Sequence, residues 1–244
     1  MSNLPAREQK QFIRSMFGRI APRYDLMNRI MTAGQDLRWR KEAIRHANLQ
    51  AGGLVLDLGA GTGDLACEAL RQQPACRLVC ADLTLEMMFI GQERTHSLIG
   101  EGAVLSWTAA DAQVLPFPKG SFQAVVSGFL LRNVHDVRQS LADQYRVVKA
   151  GGWVVALDTN PPPKNMLTPV IHFHLRRVIP TLGRIIAGHP QEYLYLPAST
   201  EGFLQPEELL QRFIETGFVE VGFERLMLGT VSIHWGRKPP NESG

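Results

Sequence analysis

The alternation of short apolar runs with helical segments constrains this 244-residue chain more than any other feature. Leu54–Leu58, Arg77–Ala81, Val104–Thr108, Phe122–Ser127 and Trp153–Asp158 have the length and composition of buried strands. Helical spacing over Thr62–Gln72, Leu85–Leu98 and Val137–Val148 is interleaved with them. Strands alternating with single helices predict a parallel, doubly wound sheet, because parallel neighbours need a crossover connection. At Pro161–Pro163 the rhythm breaks, and residues 161–205 read as an insertion. A helix at Pro206–Thr216 follows, and Phe218–Phe223 and Leu228–Trp235 lie close enough in sequence to form an antiparallel hairpin. Ahead of the first strand, residues 7–48 read as helical with a break at Ala21-Pro22. The expected fold is α/β and Rossmann-like: a doubly wound, mostly parallel seven-stranded sheet closed by a C-terminal antiparallel hairpin. We expect one domain over 1–244, made of a helical cap (1–50), a core (51–160), a lid insertion (161–205) and a C-terminal helix and hairpin (206–238).

Composition excludes several classes. Hydrophobic residues make up 45% and charged residues 20%, which argues against disorder. A net charge of +3 is too small to indicate nucleic acid. No run approaches the ~18 apolar residues of a membrane span, and Met1–Arg19 has no apolar signal core, so a cytoplasmic protein is expected. Cys67, Cys76 and Cys80 form neither a CxxC pair nor an even set, and read as reduced thiols. His172 and His174 are the one histidine pair at ligand-like spacing; satisfied or solvated rings are expected there and no metal.

The chemistry concentrates after the first strand. Gly59, Gly61 and Gly63 follow Leu54–Leu58 and open a helix, so the backbone can turn tightly and approach a ligand closely. Dinucleotide folds share this look, but their third glycine comes later. Asp57, just before the glycines, repels a pyrophosphate yet suits a sulfonium and an amino group. Asp82 ends the second strand, where an acid accepts from ribose hydroxyls, and Asp111-Ala112 follows the third, beside an adenine amine. Three acids at the carboxyl edge of consecutive strands favour S-adenosylmethionine over NAD. The expected cofactor-binding set is Asp57, Gly59, Gly61, Thr62, Gly63, Asp82, Leu83, Asp111, Ala112 and Gly128.

The surrounding motifs narrow this further. From about Phe17 to Lys238 the chain resembles the quinone-ring C-methyltransferases of menaquinone and ubiquinone biosynthesis. The resemblance rests on Phe17–Asn28, containing Tyr24-Asp25-Leu26-Met27-Asn28, and on Asp111-Ala112 with Leu115–Pro118. Leu131-Arg132-Asn133-Val134, Arg146–Lys149 with Gly151-Gly152, and Tyr193–Leu196 with Ser199 complete it. It implies a class I methyltransferase that transfers a methyl from S-adenosylmethionine, leaving S-adenosylhomocysteine, to a carbon of a prenylated quinol. Such chemistry needs alignment, exclusion of water and a cationic or amide group for the developing phenolate. Arg132 and Asn133, expected to face the cofactor crevice, suit that last task, with Tyr24 and Asp25 on the cap as substrate- or water-positioning groups.

Some positions depart from the family pattern. Thr32 and Asp36 precede Trp39 where the family has Ser and His; Gly128 and Leu130 replace a Ser and a Gly; Asp158-Thr159-Asn160 replaces Glu-Phe-Ser; and Ala150 replaces a proline. Leu130 and Asp158 are expected near the mouth of the site, bearing on the acceptor and scarcely on the cofactor loop. Another small hydrophobic or aromatic acceptor, methylated at carbon, oxygen or nitrogen, is therefore an alternative, as is a non-catalytic cofactor-binding assembly protein. The insertion around His172–His189 mixes apolar residues with Arg176, Arg177 and Arg184. It reads either as a lid packed on the sheet or as a basic, greasy entrance at the inner face of a membrane. A homodimer is compatible with the sequence.

Overall fold

The computed structural model describes residues 5–98, 104–163, 166, 168–187 and 190–241. Seven strands form one sheet: β1 (Leu54–Leu58), β2 (Arg77–Asp82), β3 (Val104–Ala109), β4 (Phe122–Gly128), β5 (Val148–Thr159), β6 (Val219–Leu226) and β7 (Val231–Arg237). Their order is β3-β2-β1-β4-β5-β7-β6. The first five run parallel, β7 is antiparallel to β5, and β6 is antiparallel to β7, so the hairpin closes the sheet as expected. Strand order reverses between β1 and β4, and ligands of open α/β sheets bind at the carboxyl ends of such a switch point.

Period-two alternation explains the two cores. Val55 on β1 packs with Trp39, Ala43 and Ile44 of α3 (Gln35–His46) and with Leu65, Ala66 and Ala69 of α4 (Asp64–Gln72). Leu56 and Leu58 point the other way, toward Leu141 and Val147 of α6 (Val137–Val147) and Leu209 and Phe213 of α10 (Pro206–Thr216). Both faces of the strand are apolar because both are covered by helices. β5 starts at Val148, five residues before the expected Trp153. Gly151 takes φ +77° and a Cβ on Gly152 would lie 2.5 Å from the Gln123 carbonyl, so the two glycines form a bulge inside the strand instead of a turn before it.

The cap is α1 (Ala6–Ile20), a 3₁₀ turn at Ala21–Arg23, α2 (Tyr24–Met31) and α3. Pro22 opens the 3₁₀ turn, so the break falls where Ala21-Pro22 predicts. The lid runs through α7 (Thr168–Phe173), a wide π-type turn (His174–Val178), α8 (Ile179–Leu182), a second such turn (Gly183–Ala187) and α9 (Pro190–Glu201). Pro180 cannot donate to the helical ladder, which gives the widened turns around it a local cause. Ile20, Ala21 and Met27 of the cap meet Ile179 and Tyr193 of the lid and Met87 of α5 (Leu85–Leu98) in a third cluster. Cap and lid thus roof the carboxyl ends of the strands together. His189, singled out with the insertion, lies outside the described residues.

Candidate active site

Two cavities lie under this roof. The first sits at the β1–β4 switch point. Gly59 and Gly61, Asp82 and Leu83, Asp111 and Ala112, and Gly128 with Asn133 line it, and α1 closes it from above with Lys10, Ile13 and Phe17. Gly59, Gly61 and Gly63 all have positive φ (+68°, +54° and +80°). A Cβ on Gly61 would meet nothing within 4 Å, so this backbone is bare toward the cavity. The Asp82 carboxylate accepts from Gly61 N (2.8 Å) and Thr84 N (2.7 Å), which ties the loop to the end of β2. Burial pushes its pKa up, against the pull of those backbone hydrogen bonds. A bare backbone facing a cavity, with one acid at each of two strand ends, fits the amino acid, ribose and adenine parts of S-adenosylmethionine.

Three of the residues expected to bind the cofactor lie off this wall. Asp57 is fully buried and absent from the cavity wall; its Oδ2 accepts from Ala66 N at 3.0 Å, bracing the first turn of α4. Burial raises its pKa to about 7. Alternation along β1 turns Asp57 toward the α3–α4 side, while its neighbours Leu56 and Leu58 point toward the α6–α10 core. Thr62 and Gly63 also lie off the wall. Gly63 packs against Thr95 and Trp107, and Thr62 Oγ1 donates to Asp25 Oδ1 at 2.6 Å.

Asp25 is a correction. It lines neither cavity; it accepts from Thr62 and from Arg94 Nη1 (2.9 Å). It belongs to a charge network that also contains Arg29, Asp36, Arg40, Asp64 and Arg94. Burial pushes Asp64 up, but Arg40, Arg94 and Arg29 outweigh it and hold the carboxyl below its ordinary range. The network pins α2 and α3 of the cap to the glycine loop and α4.

The second cavity, about 330 Å³, is largely apolar. Lid residues Ile171, Leu175, Ile179 and Leu196 face Trp39 of the cap and the hairpin tip at Met227-Leu228. Its polar wall includes Tyr24, Asn28, Asp36, Arg132 and His174. Tyr24 and Phe129 line both cavities, so the two meet there. Phe129 holds φ +58°, costly for an aromatic residue; its N–H donates to Leu157 O (2.7 Å) and its carbonyl accepts from Asn133 Nδ2 (2.8 Å). The Arg40 and Arg132 guanidiniums each lie 5.3 Å from its ring centroid.

Arg132 and Asn133, expected to share the cofactor crevice, part company. Arg132 turns into the apolar cavity, with its side chain 6% exposed and Nη1 2.6 Å from Asp158 Oδ1. Asn133 stays on the wall of the first cavity, where its Oδ1 accepts from Tyr195 of the lid at 3.0 Å. Adjacent residues of a 3₁₀ turn (Leu131–Asn133) point in different directions, which separates them. Leu130 and Asp158 are also corrected. Leu130 lines the cofactor cavity, its Cδ1 where it would lie 2.8 Å from a Cβ on Gly59; Asp158 lines neither cavity and instead holds Arg132. For Tyr24, burial pushes the hydroxyl up while the Arg132 charge and the Asn28 amide pull it back. Phe129, Asn28, Asp36 and α1 were missed as wall-formers by sequence reasoning. Asn28 and Phe17 of α1, as the ends of the Phe17–Asn28 motif, and Asp36, as a departure from the family pattern, carried a signal; Phe129 carried none.

His172 Nδ1 lies 3.2 Å from Glu201 Oε1, beside the Arg176–Glu201 ion pair on the lid. Cys67, Cys76 and Cys80 are free and buried.

The sheet order, the antiparallel β7 and the glycine-lined cavity at the switch point define a class I S-adenosylmethionine-dependent methyltransferase. The model of the ubiE/COQ5 methyltransferase family matches residues 4–238, and the chain belongs to that family. The ubiquinone/menaquinone biosynthesis C-methyltransferase UbiE of Desulfotalea psychrophila is 44% identical over 226 residues, covering 93% of this chain and 90% of the relative. The demethylmenaquinone methyltransferase of Thermus thermophilus is 41% identical over 224 residues, covering 92% and 100%. Among solved structures, phosphoethanolamine N-methyltransferase 2 of Haemonchus contortus with S-adenosylmethionine superposes with a TM-score of 0.58 at 16% identity. The match covers 80% of this chain and spans about half (50%) of that one. The [4+2]-cyclase SpnF gives a TM-score of 0.69 at 15% identity, covering 94% and 96%. These likenesses concern the fold.

Proposed function

We propose that the protein methylates a ring carbon of a prenylated quinol, of the demethylmenaquinol-to-menaquinol type. One observation carries the reading: a polar, glycine-lined cavity and an apolar one meet at Tyr24 and Phe129. S-adenosylmethionine supplies an electrophilic methyl on its sulfonium, in the cavity of Gly59, Gly61, Asp82 and Asp111. Asp57, Thr62 and Gly63 support the loop from behind. Overall, a ring C–H becomes C–CH₃, the C–S bond breaks, and one proton leaves to solvent.

The chain's own residues divide the work. Tyr24 and Phe129 bound the ring where the cavities meet and exclude water. Arg132, held by Asp158, places a positive charge beside the phenolate whose electron density activates the adjacent carbon. Asn133, bonded to Tyr195, joins lid to core and closes the site. Ile171, Leu175 and Leu196 line a path for an isoprenoid tail toward the hairpin tip. Phe173 of the lid and Leu228 of the hairpin tip are 63% and 65% exposed, which supports peripheral contact with a membrane. Among the described residues no helix is long and apolar enough to cross a membrane.

The test is mass spectrometry of a reduced prenylated demethylquinone incubated with enzyme and S-adenosylmethionine. A gain of about 14 Da, one CH₂, on the ring supports the proposal; methylation only of simple phenols at oxygen, or of amines, replaces it with the other-acceptor reading.

A further inference from the structure

Two residues of the apolar cavity's wall each carry a buried polar atom without a hydrogen-bond partner, Asn28 Nδ2 and Arg132 Nε. Both are N–H donors. The Asn28 amide lies near the Tyr24 hydroxyl, without a hydrogen bond of good geometry between them. Leaving a donor buried and unmatched is costly, so two in the wall of one apolar cavity point to a ligand that supplies the acceptor.

Several other polar groups of the wall are engaged. Asp36 is held by Arg29, Arg40 and the Thr32 hydroxyl. Thr32 also donates to the Asn28 carbonyl, Thr159 and Thr200 bond each other, and Thr230 donates to the Met227 carbonyl. The charged and titratable groups facing the cavity are Tyr24 and Asp36 of the cap, Arg132 after β4 and His174 of the lid. Asp158 and Arg40 stand directly behind them.

Resting on the reading of this cavity as the acceptor site, we infer that Asn28 Nδ2 and Arg132 Nε form a two-donor cradle that binds the acceptor as its aryl oxyanion. The phenolic proton passes to bulk buffer as the ring enters: ArO–H gives ArO⁻ and a solvated proton, and no bond to carbon changes. The pair then favours an aryl oxyanion over an uncharged aryl amine, because the anion is the stronger acceptor for both N–H groups. Asn28 is a substrate-binding residue in this scheme, and it orients the oxygen next to the carbon that is methylated.

Equilibrium binding of 1-naphthol and of 1-aminonaphthalene, followed by quenching of tryptophan fluorescence, tests this without turnover. In the wild type, naphthol affinity rises with pH through the naphthol's own ionisation, and amine affinity stays flat. Asn28→Leu and the nearly isosteric Asn28→Asp each lower naphtholate affinity by about 10-fold or more, equivalent to one lost charge-assisted hydrogen bond. S-adenosylhomocysteine binding stays within 2-fold in both and reports an intact fold. With quinol substrate, KM rises more than kcat falls in Asn28→Leu. A flat pH profile for wild-type naphthol binding overturns the inference, as does unchanged naphtholate affinity in both Asn28 variants. Naphtholate binding as described, with no methylation of any prenylated quinol, would leave the cradle standing and remove the proposed reaction instead.

Discussion

The Arg132–Asp158 pair separates stability from function if the two residues are changed singly and together. Their side chains are 6% and 1% exposed and meet at 2.6 Å, so neither is solvated. Breaking such a buried pair from one side costs about 3–5 kcal/mol, because the survivor keeps its charge without its partner. Asp158 also accepts from the backbone N–H groups of Arg132 (3.1 Å) and Thr159 (2.8 Å). Asp158→Asn keeps an acceptor for those bonds and removes only the charge. Arg132→Met keeps most of the side-chain volume. For a chain of this length, a loss of about 3 kcal/mol lowers Tm by roughly 6–12 °C. Each single variant should therefore melt clearly below wild type by calorimetry. The double variant carries no buried charge at this place, and its Tm should return to within about 4 °C of wild type, or about 1 kcal/mol. Methylation should not return with it. If Arg132 stabilises the phenolate, its loss costs about 100-fold or more in kcat even where the fold is restored. A double variant that is both stable and active would reduce Arg132 to a structural residue. A double variant as unstable as the singles would show that the pair is worth more than its isolated charges.

Three further outcomes follow from the geometry. Gly61→Ala, at φ +54° with open space around it, should fold at a cost of about 1–2 kcal/mol, yet bind S-adenosylhomocysteine at least 10-fold more weakly by calorimetric titration. Asp57 and His234 should pull stability in opposite directions over one pH window. The folded pKa of Asp57, about 7, lies above its unfolded value, so its contribution falls as pH rises from about 4 to 7; that of His234, lowered to about 4 chiefly by burial, is lost as pH falls from about 6.5 to 4. Asp57→Asn should thus gain stability relative to wild type at pH 8 and lose that gain near pH 4 in urea titrations; an equal difference at both ends would assign the effect to packing. Lys10→Met frees Asp111 from the α1 ammonium and should tighten S-adenosylhomocysteine a few-fold, within about 1 kcal/mol for a part-exposed pair. Weaker binding would show that Lys10 itself supports the cofactor site.

How legible the fold was depended on how local its causes are. β1 and α5 have the bounds that hydrophobic period and flanking glycines predict, because burial on both faces leaves Leu54–Leu58 no other reading. β5 was misread at its start because a glycine pair signals a turn and a bulge alike. Only the carbonyl of Gln123, close behind Gly152, distinguishes the two, and that neighbour lies 29 residues away in sequence. The insertion was legible as a break but not as helices widened around Pro180. The wall of the first cavity was readable wherever a strand end fixes the side chain, as at Asp82 and Asp111. It was not readable where the partner is remote: Asp25 looked like a site residue, but Thr62 and Arg94, 37 and 69 positions on, take its carboxylate.

The departures from the family pattern sort differently once these neighbours are known. A leucine at 130 is tolerated because Leu130 itself has an ordinary φ of −98°, and the left-handed conformation of this turn falls on Phe129. Its side chain then lies over Gly59, so Gly59 must lack a Cβ as much for Leu130 as for the cofactor. That change belongs to the cofactor wall. Asp158 reaches the acceptor only through Arg132. Thr32 and Asp36, by contrast, stand in the wall of the apolar cavity itself, where the family has a serine and a histidine. An imidazole at 36 is neutral or singly charged with pH, whereas this carboxylate is locked between Arg29 and Arg40 and tied to Thr32. The group at 36 is therefore already engaged, and the two unpaired donors of the wall, Asn28 and Arg132, stay available to a ring oxygen. Differences in acceptor between this chain and its relatives should accordingly trace to positions 32 and 36 before 130 and 158.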